Sequence, residues 1–251
     1  MDSPLDDALL RSLTRPPVDL EVIIPAFNEE RRLPLTLATT VEHLASRSWS
    51  SAVVVVDNDS VDRTVEIVEQ SQHPSVQVHM IGCRDHGKGA AVRRGIVTSA
   101  ARYIGFIDAD NATPIGAVDD AMALLSEGYD AVIASRRVSG ARYAVEQPVV
   151  RRSGGWVFRK LAHLSLPAIA DTQCGFKFFA GPVVREVARA CRINGFAFDV
   201  EVLARIARTG HKCTELPVVW SDVPGSTFSA RRDGLRCLRD LLRITISQGA
   251  W

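Results

Sequence analysis

From Leu20 onward the chain alternates short apolar runs with segments whose apolar residues recur three and four positions apart. The runs Leu20 to Pro25 (LEVIIP), Ala52 to Val56 (AVVVV), Val76 to Ile81, Tyr103 to Ile107 and Asp130 to Ser135 have strand length. The β-branched run at Ala52 to Val56 predicts a strand covered on both faces. Leu33, Leu37, Val41 and Leu44 mark a helix, with Asn28-Glu29-Glu30 read as its cap and first turn. Residues 62–70, 88–101 and 114–125 read as three more helices, the last opened by Pro114. Strand and helix thus alternate to about residue 135, which predicts an α/β fold with a mostly parallel, doubly wound sheet.

Beyond that point the rhythm changes. Helices are predicted over 153–166, 182–192, 199–209 and 234–247, the last with Leu235, Leu238, Leu241 and Leu242 on one face. Short strands are predicted at 175–180 and 215–220, completing one edge of the sheet. With 251 residues, the expectation is a flexible segment 1–19 followed by one catalytic domain over 20–251.

Composition narrows the class. The chain is 46% hydrophobic and 24% charged with a formal net charge of +1, so nothing global points to nucleic acid. Five cysteines without CxxC spacing argue against a structural zinc site or a disulfide framework and fit a reducing cytoplasm. No apolar run approaches the roughly 18 residues of a membrane span, and residues 1–19 lack the pattern of a signal peptide.

In a doubly wound sheet, ligands sit at the carboxyl ends of the strands. Polar clusters fall at those ends. Asp108-Ala109-Asp110 follows the strand YIGFI, and two carboxylates one residue apart can share a divalent cation that also holds phosphate oxygens. Asp57, first after AVVVV, is placed to accept a hydrogen bond from a nucleobase, while Asp59, Ser60 and Asp62 also read as helix-capping residues. Gly82 to Gly89 spells G-x-x-x-x-G-K-G, which lacks the Ser or Thr of a P-loop after its lysine and follows the wrong strand. It reads instead as a glycine-rich turn beside a nucleotide, with Lys88 adding positive charge. Asp199 and Glu201 at a predicted helix start are candidates for a base or a holder of substrate hydroxyls, or are simply first-turn acids. Residues 220–226 with Arg231 and Arg232 could form a basic lid over phosphates.

In order along the chain, VIIPAFNEE (22–30), VVVVDNDSVDRT (53–64), GKGAAVRRGI (87–96), FIDADNATP (106–114), ASRR (134–137), DTQCGFKFF (171–179), FDVEVL (198–203) and LPVVWSDVPGSTFS (216–229) resemble the family 2 glycosyltransferases, above all their dolichyl- and polyprenyl-phosphate sugar synthase branch. The resemblance implies a GT-A fold. It implies that Pro25, Ala26, Asn28, Glu29 and Asp57 hold the nucleoside of a GDP- or UDP-sugar, with Lys88 nearby. Asp108, Ala109 and Asp110 would bind Mn²⁺ or Mg²⁺ and the diphosphate. Arg136, Gln173 and Lys177 would line the sugar and acceptor-phosphate region, and Asp199 or Glu201 would stand near the sugar or the metal. The acceptor, polyprenyl phosphate or a small molecule, would attack the anomeric carbon in an inverting transfer.

The sequence departs from the family in three ways. His86 stands where asparagine is common, and Gly225-Ser226-Thr227 replaces the late GSK, leaving Ser226, Arg231 and Arg232 to meet phosphate. No run in the sequence is expected to serve as the anchor or extra spans that membrane-embedded members carry. These departures motivate a rival reading, a nucleotide-sugar mutase interconverting ring forms, with His86 as acid or base. The expected location is cytoplasmic, at most peripheral to a membrane.

Overall fold

The computed structural model describes residues 17–145, 162–163, 165–223 and 233–246. The alternating pattern folds as expected into β1 (Leu20–Ala26), α1 (Leu33–Ala45), β2 (Ser51–Asp57), α2 (Thr64–Gln70), β3 (Gln77–Gly82), α3 (Lys88–Thr98), β4 (Tyr103–Ile107), α4 (Ala117–Ser126) and β5 (Ala131–Ser135). Then follow β6 (Arg142–Val145), β7 (Phe176–Ala180), α5 (Gly181–Ala190), α6 (Phe198–Arg208), β8 (Cys213–Pro217), β9 (Val219–Ser221) and α7 (Asp233–Ile246).

Seven strands form one sheet in the order β3-β2-β1-β4-β7-β5-β8. All neighbours are parallel except β7, which runs antiparallel to both β4 and β5. The run Ala52 to Val56 is wholly buried, as a strand covered on both faces must be. One buried cluster packs α3, α5 and α6 on one side of the sheet, and a second packs α1 and α4 on the other. The chain leaves β1 toward β2 and β3 on one side and returns on the other side as β4, so a crevice opens at the carboxyl ends of β1, β2 and β4.

Four expectations are corrected. First, Asn28 to Glu30 is not the first turn of α1: Asn28 has φ 56°, and the helix begins at Leu33. A left-handed residue cannot continue a right-handed helix, so the segment is a separate loop. Second, residues 215–220 are not one strand. The ladder β5·β8 ends at the pair Ser135–Pro217, and the chain after Val218 pairs instead with β6. Third, the second half completes an edge through β8 alone; β7 is inserted between β4 and β5. Fourth, α7 does not bury its leucines together. Cys237, Leu241 and Ile244 face the core, while Leu235, Leu238 and Leu242 are 74%, 36% and 46% exposed. The helix predicted over 153–166 lies almost wholly outside the described residues.

Candidate active site

The carboxyl ends of the first three strands are in register. Ala26 is paired with Asp57, and Asp57 with Gly82. Asp57 stands at the crevice with one oxygen, Oδ2, accepting the Ser60 N–H at 3.3 Å. Its Oδ1 is buried and has no hydrogen-bond partner among the described residues. A buried carboxylate oxygen without a donor is costly unless something supplies one.

The polar residues after Asp57 have a different task. Ser60 Oγ accepts the Asn28 N–H, Asn28 Oδ1 accepts the Val61 N–H, Thr64 Oγ1 accepts the Glu29 N–H and Asp62 Oδ2 accepts the Glu30 N–H, all at 2.8–3.0 Å. They hold the loop after β1, including the left-handed Asn28, in one shape. Asn58 performs the same service on the other side. Its amide donates to the carbonyls of Cys83 and Asp85 at 3.1 and 2.7 Å and accepts the Gly87 N–H at 2.7 Å. Nothing local in the sequence marks this clamp, because the partners lie 25 to 29 residues away.

The glycines of the G-x-x-x-x-G-K-G segment are explained by packing. A Cβ on Gly87, where φ is 121°, would lie 2.3 Å from the Asn194 carbonyl oxygen, and one on Gly89 would lie 2.4 Å from Phe198 Cβ. The start of α3 is therefore pressed against the 194–198 segment that leads into α6. This sets Lys88 at the rim of the crevice. Its Nζ is 2.6 Å from Asp108 Oδ1 and 3.9 Å from Asp199 Oδ2. Burial pulls the ammonium pKa down, but Asp108 and Asp199 outweigh it, so it is held above the usual lysine range.

Asp108 stands one residue beyond β4, with its N–H bonded to the Gly175 carbonyl at 2.9 Å. A Cβ on Gly175 would lie 1.8 Å from Asp108 Oδ2, so only glycine leaves that carboxylate its place. Gly175→Ala is therefore expected to keep the fold and displace Asp108, lowering kcat by about 100-fold, the scale of a misplacement near 1 Å at a reacting centre. Steady-state kinetics alongside a thermal melt check this; unchanged kcat in a folded variant defeats it.

Asp110 accepts the Ala112 N–H at 3.1 Å and faces Arg32 Nη1 at 3.9 Å. Burial, with the Asp108 charge beside it, raises its pKa. Arg32 in turn forks onto Glu29, with Nε to Oε2 at 2.7 Å and a second, shorter contact between Nη2 and Oε1. Burial raises the Glu29 pKa despite that partner. Arg32 lies outside the motifs that the sequence singles out. The crevice thus gathers Glu29, Asp108, Asp110 and Asp199 against Arg32 and Lys88, with Lys177 beneath them. No group of three metal-ligating side chains exists among the described residues. The donor set fits a hard cation that takes two carboxylates here and its remaining oxygens from a diphosphate and water.

The remaining candidates are placed as follows. Lys177, on β7, is fully buried. Its ammonium binds Asp199 at 2.5 Å, the Cys174 carbonyl, and the face of Phe106, so it supports the floor of the crevice and does not project into it. Asp199 is buried between Lys177 and Lys88. Glu201 points elsewhere, accepting the N–H groups of Arg192 and Ile193 at 2.8–3.0 Å and pairing with Arg205 at 3.1 Å. Arg136 is forked onto Asp171 at 2.6 and 2.8 Å and lies 5.2 Å from the Trp220 ring centroid. Asp171, buried yet held below the usual carboxylate range by that guanidinium, also caps Gln173 N–H at 3.2 Å. Glu215, which the sequence marks only as a strand residue, accepts the Ala170 and Asp171 N–H groups at 2.8 and 3.0 Å. Gln173 is half-buried on the loop before β7, and His86 is exposed on the loop before α3. Cys174 is buried, which pushes its thiol up to about 11 and leaves it protonated at neutral pH. Ser226, Arg231 and Arg232 lie outside the described residues.

The sequence profile described as glycosyl transferase family 2 matches residues 21–180, from the start of β1 to the end of β7. The chain belongs to this family. Among curated relatives, it is 30% identical over 255 residues to a dolichyl-phosphate beta-glucosyltransferase of Drosophila melanogaster, covering 94% of this chain and 78% of that one. It is 29% identical to the enzymes of the same name from Dictyostelium discoideum, over 91% of this chain and 75% of the other, and from Homo sapiens, over 94% and 78%. Among solved structures, glucosyl-3-phosphoglycerate synthase of Mycobacterium tuberculosis, crystallised with Mn²⁺, UDP and its product, superposes with a TM-score of 0.68 at 17% identity, over 97% of this chain and 83% of that one. The same enzyme was also crystallised with Mg²⁺ and UDP. The likeness confirms the GT-A fold. The protein is a nucleotide-sugar-dependent glycosyltransferase.

Proposed function

We propose that the protein moves a glucosyl group from UDP-glucose to a polyprenyl phosphate of the dolichyl type, with Mn²⁺ or Mg²⁺ as cofactor. The observation that carries this is the pairing of two features at the carboxyl edge of the sheet: the unpartnered Asp57 Oδ1 at the end of β2 and the Asp108/Asp110 pair beyond β4, on either side of β1. The first suits a ring N–H donor on a nucleobase edge, such as the imide N–H of uracil. The second suits the diphosphate, the two joined by a ribose. The relatives' names supply glucose and the dolichyl-phosphate acceptor, and UDP comes from the structural neighbours.

In this reading Asn28, Pro25 and Ala26 shape the nucleoside pocket, and Lys88 neutralises diphosphate oxygens. Asp108 and Asp110 would hold the cation, which supplies Lewis-acid stabilisation of the leaving diphosphate. An acceptor phosphate oxygen forms a bond to the anomeric carbon as the bond from that carbon to the β-phosphate oxygen breaks. The acceptor is already ionised, so no side chain need remove a proton. This accords with a crevice whose central acid, Asp199, is neutralised by two lysines. Arg136, held rigid by Asp171, would orient the acceptor phosphate through its remaining N–H groups.

Among the described residues no helix is long and apolar enough to cross a membrane. A peripheral station at the bilayer is supported by α7, whose outer face carries the exposed Leu235, Leu238 and Leu242 beside exposed Arg236, Arg239 and Arg243. Nothing in the relatives or the geometry favours the mutase, and exposed His86 lacks a partner role in the crevice.

The test incubates the purified protein with Mn²⁺ and UDP-glucose or GDP-glucose, alone, with a short-chain polyprenyl phosphate, or with 3-phosphoglycerate. The expected result is UDP release with the lipid only. Release with 3-phosphoglycerate alone would replace the acceptor, release from the GDP donor alone would replace the base, and a donor isomer of unchanged mass would overturn the transferase.

A further inference from the structure

We propose that Lys88 competes with the divalent cation for Asp108, so that the cation enters together with the nucleoside diphosphate and not before it. The inference rests on the reading of Asp108 and Asp110 as the cation's ligands. Lys88 Nζ is 2.6 Å from Asp108 Oδ1, close enough to occupy the lone pairs a cation would use. The contact is built in. Asn58 and the Asn194 carbonyl fix the backbone at Gly87 and Ala90, and the two glycines seat the first turn of α3 against Phe198. Arg32, 3.9 Å from Asp110, adds a second positive charge.

A cation that arrives alone must share Asp108 with an ammonium held nearby, and the two like charges repel. A nucleoside diphosphate changes this balance. Its oxygens offer Lys88 a new partner and release Asp108, and they add ligands to the cation. Each ligand then strengthens the other by the same factor, as linkage requires. Lys88 thus couples cation to donor. Asp199, 3.9 Å from the same ammonium, marks where Nζ can rest on leaving Asp108.

The experiment titrates Mn²⁺ into the full chain and reads free Mn²⁺ by electron paramagnetic resonance, with and without UDP, correcting for the Mn²⁺–UDP complex measured without protein. In the wild type, UDP is expected to raise Mn²⁺ affinity by about tenfold or more, within the usual range of coupling between sites. Lys88→Gln should bind Mn²⁺ alone about tenfold tighter than wild type, with the gain from UDP smaller by the same factor and reduced to what the diphosphate oxygens add as ligands, and Lys88→Arg should keep wild-type coupling. Damage to the fold cannot produce a gain in affinity. Mn²⁺ affinity in Lys88→Gln equal to or below wild type overturns the proposal. So does a wild type whose Mn²⁺ affinity ignores UDP, which needs no variant. If Asp110→Asn leaves Mn²⁺ binding intact, the cation site itself has been misread, which is a distinguishable failure.

Discussion

Asp110→Asn should lower kcat/KM for glucosyl transfer by about a thousandfold, roughly 4 kcal/mol of transition-state stabilisation, on the scale of losing one preorganised electrostatic contact. The folded state should not suffer. Burial and the neighbouring Asp108 already make the charged form of Asp110 unfavourable, so a neutral amide of the same shape relieves repulsion. Its hydrogen bond from Ala112 N–H can be accepted by the amide oxygen. Activity should fall while the melting temperature holds or rises slightly, the pattern of a group kept for function at a cost in stability. Initial rates at saturating Mn²⁺ with a parallel melt decide it. Activity within tenfold of wild type would remove Asp110 from the cation site.

The second large effect concerns stability. Lys177 and Asp199 form an ion pair with side chains 0% and 4% exposed. Removing one partner strands the other charge in the core, which costs about 3–5 kcal/mol. For a chain of this size, Lys177→Met should therefore lower the melting temperature by about 6–20 °C. The double change Lys177→Met with Asp199→Leu should recover much of that loss, because two apolar side chains of similar size remove both buried charges at once. It should not recover activity, since Lys88 then loses the carboxylate 3.9 Å away. If the double variant is no more stable than the single one, the pair is not what makes Lys177 necessary. If it is fully active, Asp199 has no role beyond the pair.

These two carboxylates show what sequence can and cannot separate. The place of Asp108 and Asp110 just beyond a strand is legible because a strand's carboxyl end and a spacing of one residue are local facts. Asp199 and Glu201 lie two residues apart at one helix start and looked alike. The turn of α6 sends Asp199 toward Lys177 and Lys88 and Glu201 toward the N–H groups of Arg192 and Ile193. Likewise Arg136 suggested a free phosphate ligand, and the fold ties it to Asp171, 35 residues away.

Periodicity alone determined the alternation of strands and helices to β5, because burial on one or two faces writes its period into adjacent residues. Ordered local motifs determined the family and pointed to the nucleotide edge. Tertiary structure alone decided that β7 enters the sheet antiparallel between β4 and β5, a pairing no local period encodes. It also decided that α7 leaves three leucines exposed and that Gly175 makes room for Asp108. Each of these depends on which distant surface an element meets, and contact between residues far apart in the chain leaves no mark on the spacing of their neighbours.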